Sequence, residues 1–254
     1  MAEPMLKVTR LNKHFGAVHA CKDLDLVVDK GSLHALIGPN GAGKTTVIRQ
    51  LAGELIPDSG VIEFDGKEIT RLATHKRARM GLARSFQITT VFEHLSVEEN
   101  IGLAVQAHLG HSFRFWKPVV KDPLLRRETE LALERCGLED RFSERAGSLS
   151  HGEKCQLEVG MALAGKPKLL LLDEPMAGMG PGGTAKMTEL ILALKGEISI
   201  LLIEHDMDAV FALADQISVQ VYGALLASGD VASIRANPEV QRAYLGDGES
   251  DAAG

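Results

Sequence analysis

The chain has 254 residues, 45% of them hydrophobic and 24% charged, with a formal net charge of −6. That length accommodates one large domain or two closely packed lobes around a core that needs no staples. The acidic balance argues against a broad nucleic-acid footprint, and an anionic membrane surface is not an obvious partner either. Its three cysteines, Cys21, Cys136 and Cys155, have no C-x-x-C spacing, so neither a disulfide framework nor a zinc site is expected and reduced thiols in the cytosol are the simplest reading. "MAEPMLKVTR" lacks the apolar core of a signal peptide, and no run reaches the roughly 18 to 20 apolar residues of a membrane span. Any membrane role would therefore need other chains to cross the bilayer.

The first third reads as β-rich. "LKVTRL" and "DLDLVV" (23–28) alternate, while "SLHALIG" (32–38) and "GVIEFDG" (60–66) are short apolar runs bounded by glycine. A helix is expected through "KTTVIRQLAG" after Gly43, with Gly53 suited to its C-terminal end. The middle, about 90–160, looks helical. "DPLLRRETELALERCG" offers Asp122 as N-cap, Pro123 at the first helical position and Gly137 just past the end. Before it, "HLGHSFRFWKP" carries Trp116 and two phenylalanines in a polar-basic loop, either as an exposed contact patch or simply packed onto the domain.

In the last third, strand and helix alternate. "KLLLLDE" and "SILLIEHD" are continuous apolar runs, as expected of parallel strands buried on both faces. "GTAKMTELILALKG" and "DAVFALADQ" have helical spacing, and "ISVQVYGALLASG" reads as a hairpin turning at Gly223. This order points to an α/β parallel sheet.

"GPNGAGKTT", from Gly38 to Thr46, matches G-x-x-x-x-G-K-[ST] through Gly38, Gly43, Lys44 and Thr45. Gly41 is an extra glycine, and Pro39, Asn40, Ala42 and Thr46 complete the loop. Glycines let the backbone curl so that its N–H groups face phosphate oxygens. Lys44 reaches the β- and γ-phosphates of a nucleotide, and the Thr45 hydroxyl binds Mg²⁺. The helix that starts here adds its positive end.

A phosphate loop alone hydrolyses nothing, since magnesium needs an acidic partner and water needs a base. In doubly wound sheets ligands bind at the carboxyl ends of strands. "LLLLDE" places Asp173 there, suited to hold Mg²⁺ through its hydration shell, with Glu174 next to it to polarise the attacking water. His205 ends the next apolar run. A lone histidine there is usually structural, but if the two strands are neighbours it shares a sheet edge with Glu174 and reaches the γ-phosphate.

"SLSHGEKCQLEVG" (148–160) opens another helix, with Ser150 and Glu153 at capping-box spacing. It either caps a helix and nothing more, or presents that N-terminus to a negatively charged group.

In combination, "GPNGAGKTT", Gln87 in "SFQ", "LSHGE", "LLLLDEP" and His205, in that order, resemble the ATP-binding cassette (ABC) family over nearly the whole chain. The resemblance implies a P-loop NTPase with a RecA-like parallel core, an N-terminal antiparallel β subdomain and an inserted helical subdomain at about 90–160, all within one nucleotide-binding domain spanning 1–254. It implies ATP and Mg²⁺ as ligands. Gln87 would be the lid-loop glutamine that contacts Mg²⁺ and reports to the membrane partner, and Phe15 would stack on the adenine. Ser150, Gly152 and Glu153 would form the signature stretch, with Ser150 and the Gly152 amide meeting the γ-phosphate of ATP bound to a second copy in a head-to-tail dimer. Capping and phosphate binding then become one arrangement.

Three positions depart from the commonest family pattern: His151 stands for a glycine, Glu153 for a glutamine, and Gly180 for an aspartate. They bear on how two sites communicate more than on whether they hydrolyse ATP. "FQITTVFEHLSVEENI", "LLIEHDM" and "ASIRANPEVQRAYLGD" resemble, more closely, the ATPase subunits of branched-chain amino acid and urea importers. That implies two integral membrane permease chains, a second ATPase subunit, identical or paralogous, an indirect solute-binding protein, no nucleic acid, and a cytoplasmic position on the inner face of the membrane. The alternatives are the ATPase of a lipopolysaccharide-extracting transporter and a soluble ABC-type ATPase. A nucleotide sensor without turnover is disfavoured by Glu174.

Overall fold

The computed structural model describes residues 3–85, 91–110 and 122–245. β1 (Pro4–Phe15) and β2 (Val18–Asp29) form a long antiparallel hairpin, joined by β4 (Ser59–Phe64) and the short β5 (Lys67–Glu68) in the order β2-β1-β4-β5. Both hairpin strands outrun the alternating stretches that announce them. The β1–β2 register shifts between Val8 and Leu11, and Arg10 and Asp23 take left-handed φ values of 45° and 42° nearby. Bulges of this kind break the period-2 signal while the ladder continues.

The second sheet contains β3 (Leu33–Ile37), β6 (Leu82–Arg84), β7 (Leu169–Asp173), β8 (Ser199–Ile203), β9 (Gln216–Val221) and β10 (Ala224–Gly229). Its order is β10-β9-β3-β8-β7-β6, parallel throughout except for β10 on β9. The expected hairpin turns at Tyr222 and Gly223, both left-handed, as a two-residue turn requires.

The apolar runs have a direct explanation. Leu169, Leu171, Leu201 and Ile203 join the core shared with the antiparallel sheet and with α1 (Lys44–Ala52). Leu170, Leu172, Ile200 and Leu202 face the opposite way, toward α5 (His151–Leu163) and α6 (Pro181–Leu194). Both faces of β7 and β8 are covered, so alternation is absent from their sequences. α7 (Met207–Leu213), α8 (Val231–Ala236) and α9 (Pro238–Leu245) cover the β3–β9 end.

The middle of the chain is helical as expected: α3 (Val97–Leu109), α4 (Pro123–Cys136) and α5 pack around their own cluster, which includes Ile101, Val105, Leu133, Cys136 and Leu157. α4 begins with the Asp122 carboxylate accepting the Leu124 N–H and ends on left-handed Gly137. The short α2 (Thr74–Met80) and β6 lie in a stretch for which the sequence offered no element. The aromatic loop with Trp116 lies outside the described residues.

Candidate functional site

The phosphate loop joins β3 to α1, so its context is strand, loop, helix. Two of its glycines are required by what lies beneath them. A Cβ on Gly38 would sit 2.0 Å from the Gln220 carbonyl oxygen of β9, and one on Gly43 would sit 2.1 Å from the Ala20 carbonyl oxygen of β2. Gly41 has open space around it. The loop is tied to the β9–β10 turn by the Gly223 N–H, which donates to the Ala42 carbonyl at 2.9 Å. Asn40 and Thr45 are exposed, Pro39 and Thr46 half-buried, and Ala42 buried.

Lys44 is buried, and its Nζ donates to the carbonyls of Gly38 (2.6 Å) and Pro39 (3.1 Å) across its own loop. Burial pulls its pKa down, while the negative charges of Glu174 and Asp173 pull it back up. A cation held by its own loop's carbonyls and near two carboxylates is suited to phosphate oxygens.

Asp173 ends β7 and is 2% exposed. Its Oδ2 accepts from Arg84 Nη2 at 2.9 Å, and Arg84 also pairs with Glu54. Asp173 Oδ1 is buried and has no hydrogen-bond partner among the described residues. Burial raises the Asp173 pKa and Arg84 opposes that rise. An orphaned carboxylate oxygen at a strand end beside the phosphate loop fits an ion or its bound water.

Glu174 follows with a left-handed φ of 51°, and its N–H donates to the Ile203 carbonyl at 2.9 Å. β7 and β8 are indeed neighbours, with Asp173 registered on Ile203, so Glu174 and His205 stand at adjacent strand ends. The His205 side chain is 61% exposed. Glu204, between Ile203 and His205, is fully buried, and its carboxylate accepts from the N–H groups of Met176 and His205.

Phe15 lies at the tip of the β1–β2 hairpin, 49% exposed, with Lys13 Nζ 5.9 Å from its ring centroid. The same hairpin supplies Ala20 beneath Gly43.

The α5 start is a complete capping box: Ser150 Oγ accepts from the Glu153 N–H, and the Glu153 carboxylate accepts from the Ser150 N–H at 2.9 Å. Arg141 also pairs with Glu153. Ser150 is exposed, with Gly152 and Glu153 half-buried. His151 Nε2 donates to the Ala177 carbonyl at 3.0 Å, which joins this helix start to the segment after Glu174. Gly180 is the N-cap of α6 with no side chain to cap it. Gln87 lies outside the described residues.

Two residues went unmarked in the sequence, and the partner of a third was hidden. Arg84 had only its nearness to Gln87 to mark it. Glu204 reads as an ordinary charge at a strand end. His151 stood out only as a departure, and its partner lies 26 positions away.

The ABC transporter family model matches residues 21–177, more than half the chain, and a second model, for the branched-chain amino acid ATP-binding cassette transporter, matches residues 224–250. The chain is 39% identical to the high-affinity branched-chain amino acid transport ATP-binding protein BraF of Pseudomonas aeruginosa, covering 97% of this chain and 100% of the relative. It is 38% identical to LivG of Escherichia coli K12, a protein with the same description, over the same shares. Among solved structures it is similar to the ADP conformation of MJ1267, an ATP-binding cassette of an ABC transporter, with TM-score 0.85, 29% identity, and coverage of 96% of this chain and 100% of that one. A nucleotide-free cassette from an ABC transporter gives TM-score 0.84 and 28% identity over 95% of this chain and 99% of that one. Phosphate loop, acidic strand end and matched families converge: the chain belongs to the ABC transporter family, as one of its ATP-hydrolysing cassettes.

Proposed function

We propose that this chain is the ATPase subunit of a branched-chain amino acid importer. The observation that carries the reading is the juxtaposition of a buried Lys44 with the Asp173–Glu174 pair at one sheet edge, in a chain whose end matches the branched-chain amino acid cassette model. The relatives' described role in amino-acid transport supports the choice of solute.

In this reading residues 1–254 act as one nucleotide-binding domain, with 90–160 as its helical part. The N–H groups of Gly38–Thr46 and Lys44 hold the ATP phosphates, and Phe15 stacks on the adenine. Thr45, Asp173 and Gln87 would hold Mg²⁺, which when bound would offset negative charge on the phosphate oxygens. Glu174 accepts a proton from the attacking water, and His205 contacts the γ-phosphate. Ser150, Gly152 and Glu153 close over ATP on a second copy, where a helix N-terminus is suited to an anion. Among the described residues no helix is long and apolar enough to cross a membrane. Two permease chains would do so, with this subunit peripheral on the inner face and a solute-binding protein delivering the amino acid.

The test is affinity purification from detergent-solubilised membranes together with uptake of labelled leucine. Two hydrophobic permease-like chains should co-purify, and Lys44→Ala should abolish uptake. Recovery of lipopolysaccharide-transport or translation components, with leucine uptake intact, would contradict the reading.

A further inference from the structure

We propose that Glu204 is a positioning residue that holds the loop of the catalytic base and the strand end of His205 in one geometry. The inference rests on the reading of Glu174 as the base.

Glu204 is 0% exposed, at the end of a strand whose five residues are all buried. Burying a carboxylate is unfavourable unless its oxygens are satisfied. Here both are, and by backbone only. Oε1 accepts the Met176 N–H at 2.9 Å and Oε2 the His205 N–H at 3.0 Å. His205 Nδ1 lies 3.6 Å from Oε2.

Those partners belong to the two segments that carry the reacting side chains. The Glu174 N–H is used by Ile203, Pro175 has none, and the Met176 N–H is the next donor along the chain. The Ala177 N–H returns to the Glu174 carbonyl at 3.1 Å, closing a turn around the left-handed φ of Glu174. Such a backbone persists only where its surroundings over-determine it. Glu204 supplies that determination from the side of β8. It also pins the base loop and His205 through the two oxygens of a single rigid group, so neither shifts without the other. An apolar residue would fill the space but hold neither N–H.

The test uses the full-length chain with ATP turnover, binding of a fluorescent ATP analogue and thermal melting, in four forms: parent, Glu204→Gln, Glu174→Gln and the double variant. Glu204→Gln sets an amide N–H₂ against one of the two backbone donors. Its kcat should fall at least tenfold, with the KM for ATP and the analogue's affinity within about twofold of the parent. In the Glu174→Gln background the same change should cost the residual rate several-fold less than it costs the parent, because only the His205 contact is left to misplace. Glu204→Met fills the space but leaves the Met176 and His205 N–H groups without an acceptor, so it should melt below the parent and turn over still more slowly. Parent-like kcat in Glu204→Gln, parallel loss of nucleotide binding, or multiplying losses in the double variant would overturn the inference. Parent-rate hydrolysis by Glu174→Gln alone is a separate result that removes the base reading itself and this inference with it.

Discussion

Gly43→Ala and Gly41→Ala are chemically identical changes in one loop, yet the structure separates them. Gly41 has φ 78° and nothing within 4 Å of an added Cβ. Alanine there meets only left-handed strain, of about 1–2 kcal/mol. Gly43 has φ 107°, and its added Cβ would lie 2.1 Å from the Ala20 carbonyl oxygen and 3.0 Å from Gln220 Nε2. An ordinary contact needs roughly 3.4 Å or more, so the backbone of β2 must retreat by more than about 1 Å. Forced insertions into packed sites cost about 1–3 kcal/mol, for a total of about 2–5 kcal/mol. In a chain of this size each kcal/mol lowers Tm by about 2–4 °C. Gly41→Ala should therefore melt only a few degrees below the parent, and Gly43→Ala on the order of 10 °C below, with nucleotide affinity following the same order. Thermal melts with and without ATP decide it. Equal losses in the two variants would mean that Gly43 is required for phosphate approach alone, and that the packing of β2 beneath the loop does not matter.

Lys44→Ala removes the cation folded over the Gly38 and Pro39 carbonyls and should abolish productive ATP binding, read by nucleotide titration. His151→Gly, which removes the bond to Ala177, should lower kcat about fivefold, the scale of one lost hydrogen bond of about 1 kcal/mol, in a steady-state ATPase assay; an unchanged rate would make that bond incidental. Burial lowers the His34 pKa to about 4, so the folded chain disfavours its charged form. The unfolded chain takes up that proton first, and stability present near pH 7 is lost as the pH falls from 6.5 toward 4. Denaturant titrations should show about 2 kcal/mol lost through this group between pH 7 and pH 5, and a flatter dependence in His34→Gln.

What was legible in the sequence was local. The caps of α4 are one residue from the helix they bound, and "GPNGAGKTT" carries its own turn chemistry. The apolar runs of β7 and β8 announced strands covered on both faces, but that they lie side by side, and so bring Glu174 and His205 to adjacent strand ends, came from the pairing itself. What was hidden depends on distant partners. Gly43 needs its hydrogen because of Ala20, Asp173 meets Arg84 across 89 positions, and Glu204 is defined by an N–H 28 positions away. α2, a basic stretch with no apolar stripe, is held by Arg77, whose guanidinium donates to the carbonyls of Gln50, Leu51, Thr70 and Leu72; no local propensity encodes that.

The departure at Gly180 leaves the start of α6 without a side-chain cap, while His151 reaches across to Ala177 from the helix start that faces a second copy in the proposed dimer. Glycine at position 151 would not make that bond to the segment after Glu174.

Single-turnover hydrolysis of labelled ATP by the Glu174→Gln chain addresses the centre of the proposal. Binding should be retained, since the phosphate loop and Lys44 are untouched, while cleavage slows by about a hundredfold or more, the scale of a lost general base, and an ATP-bound dimer accumulates on size exclusion. Cleavage at the parent rate would place the base elsewhere, with His205 the first residue to examine, and would contradict the assignment of this strand end as the site of chemistry.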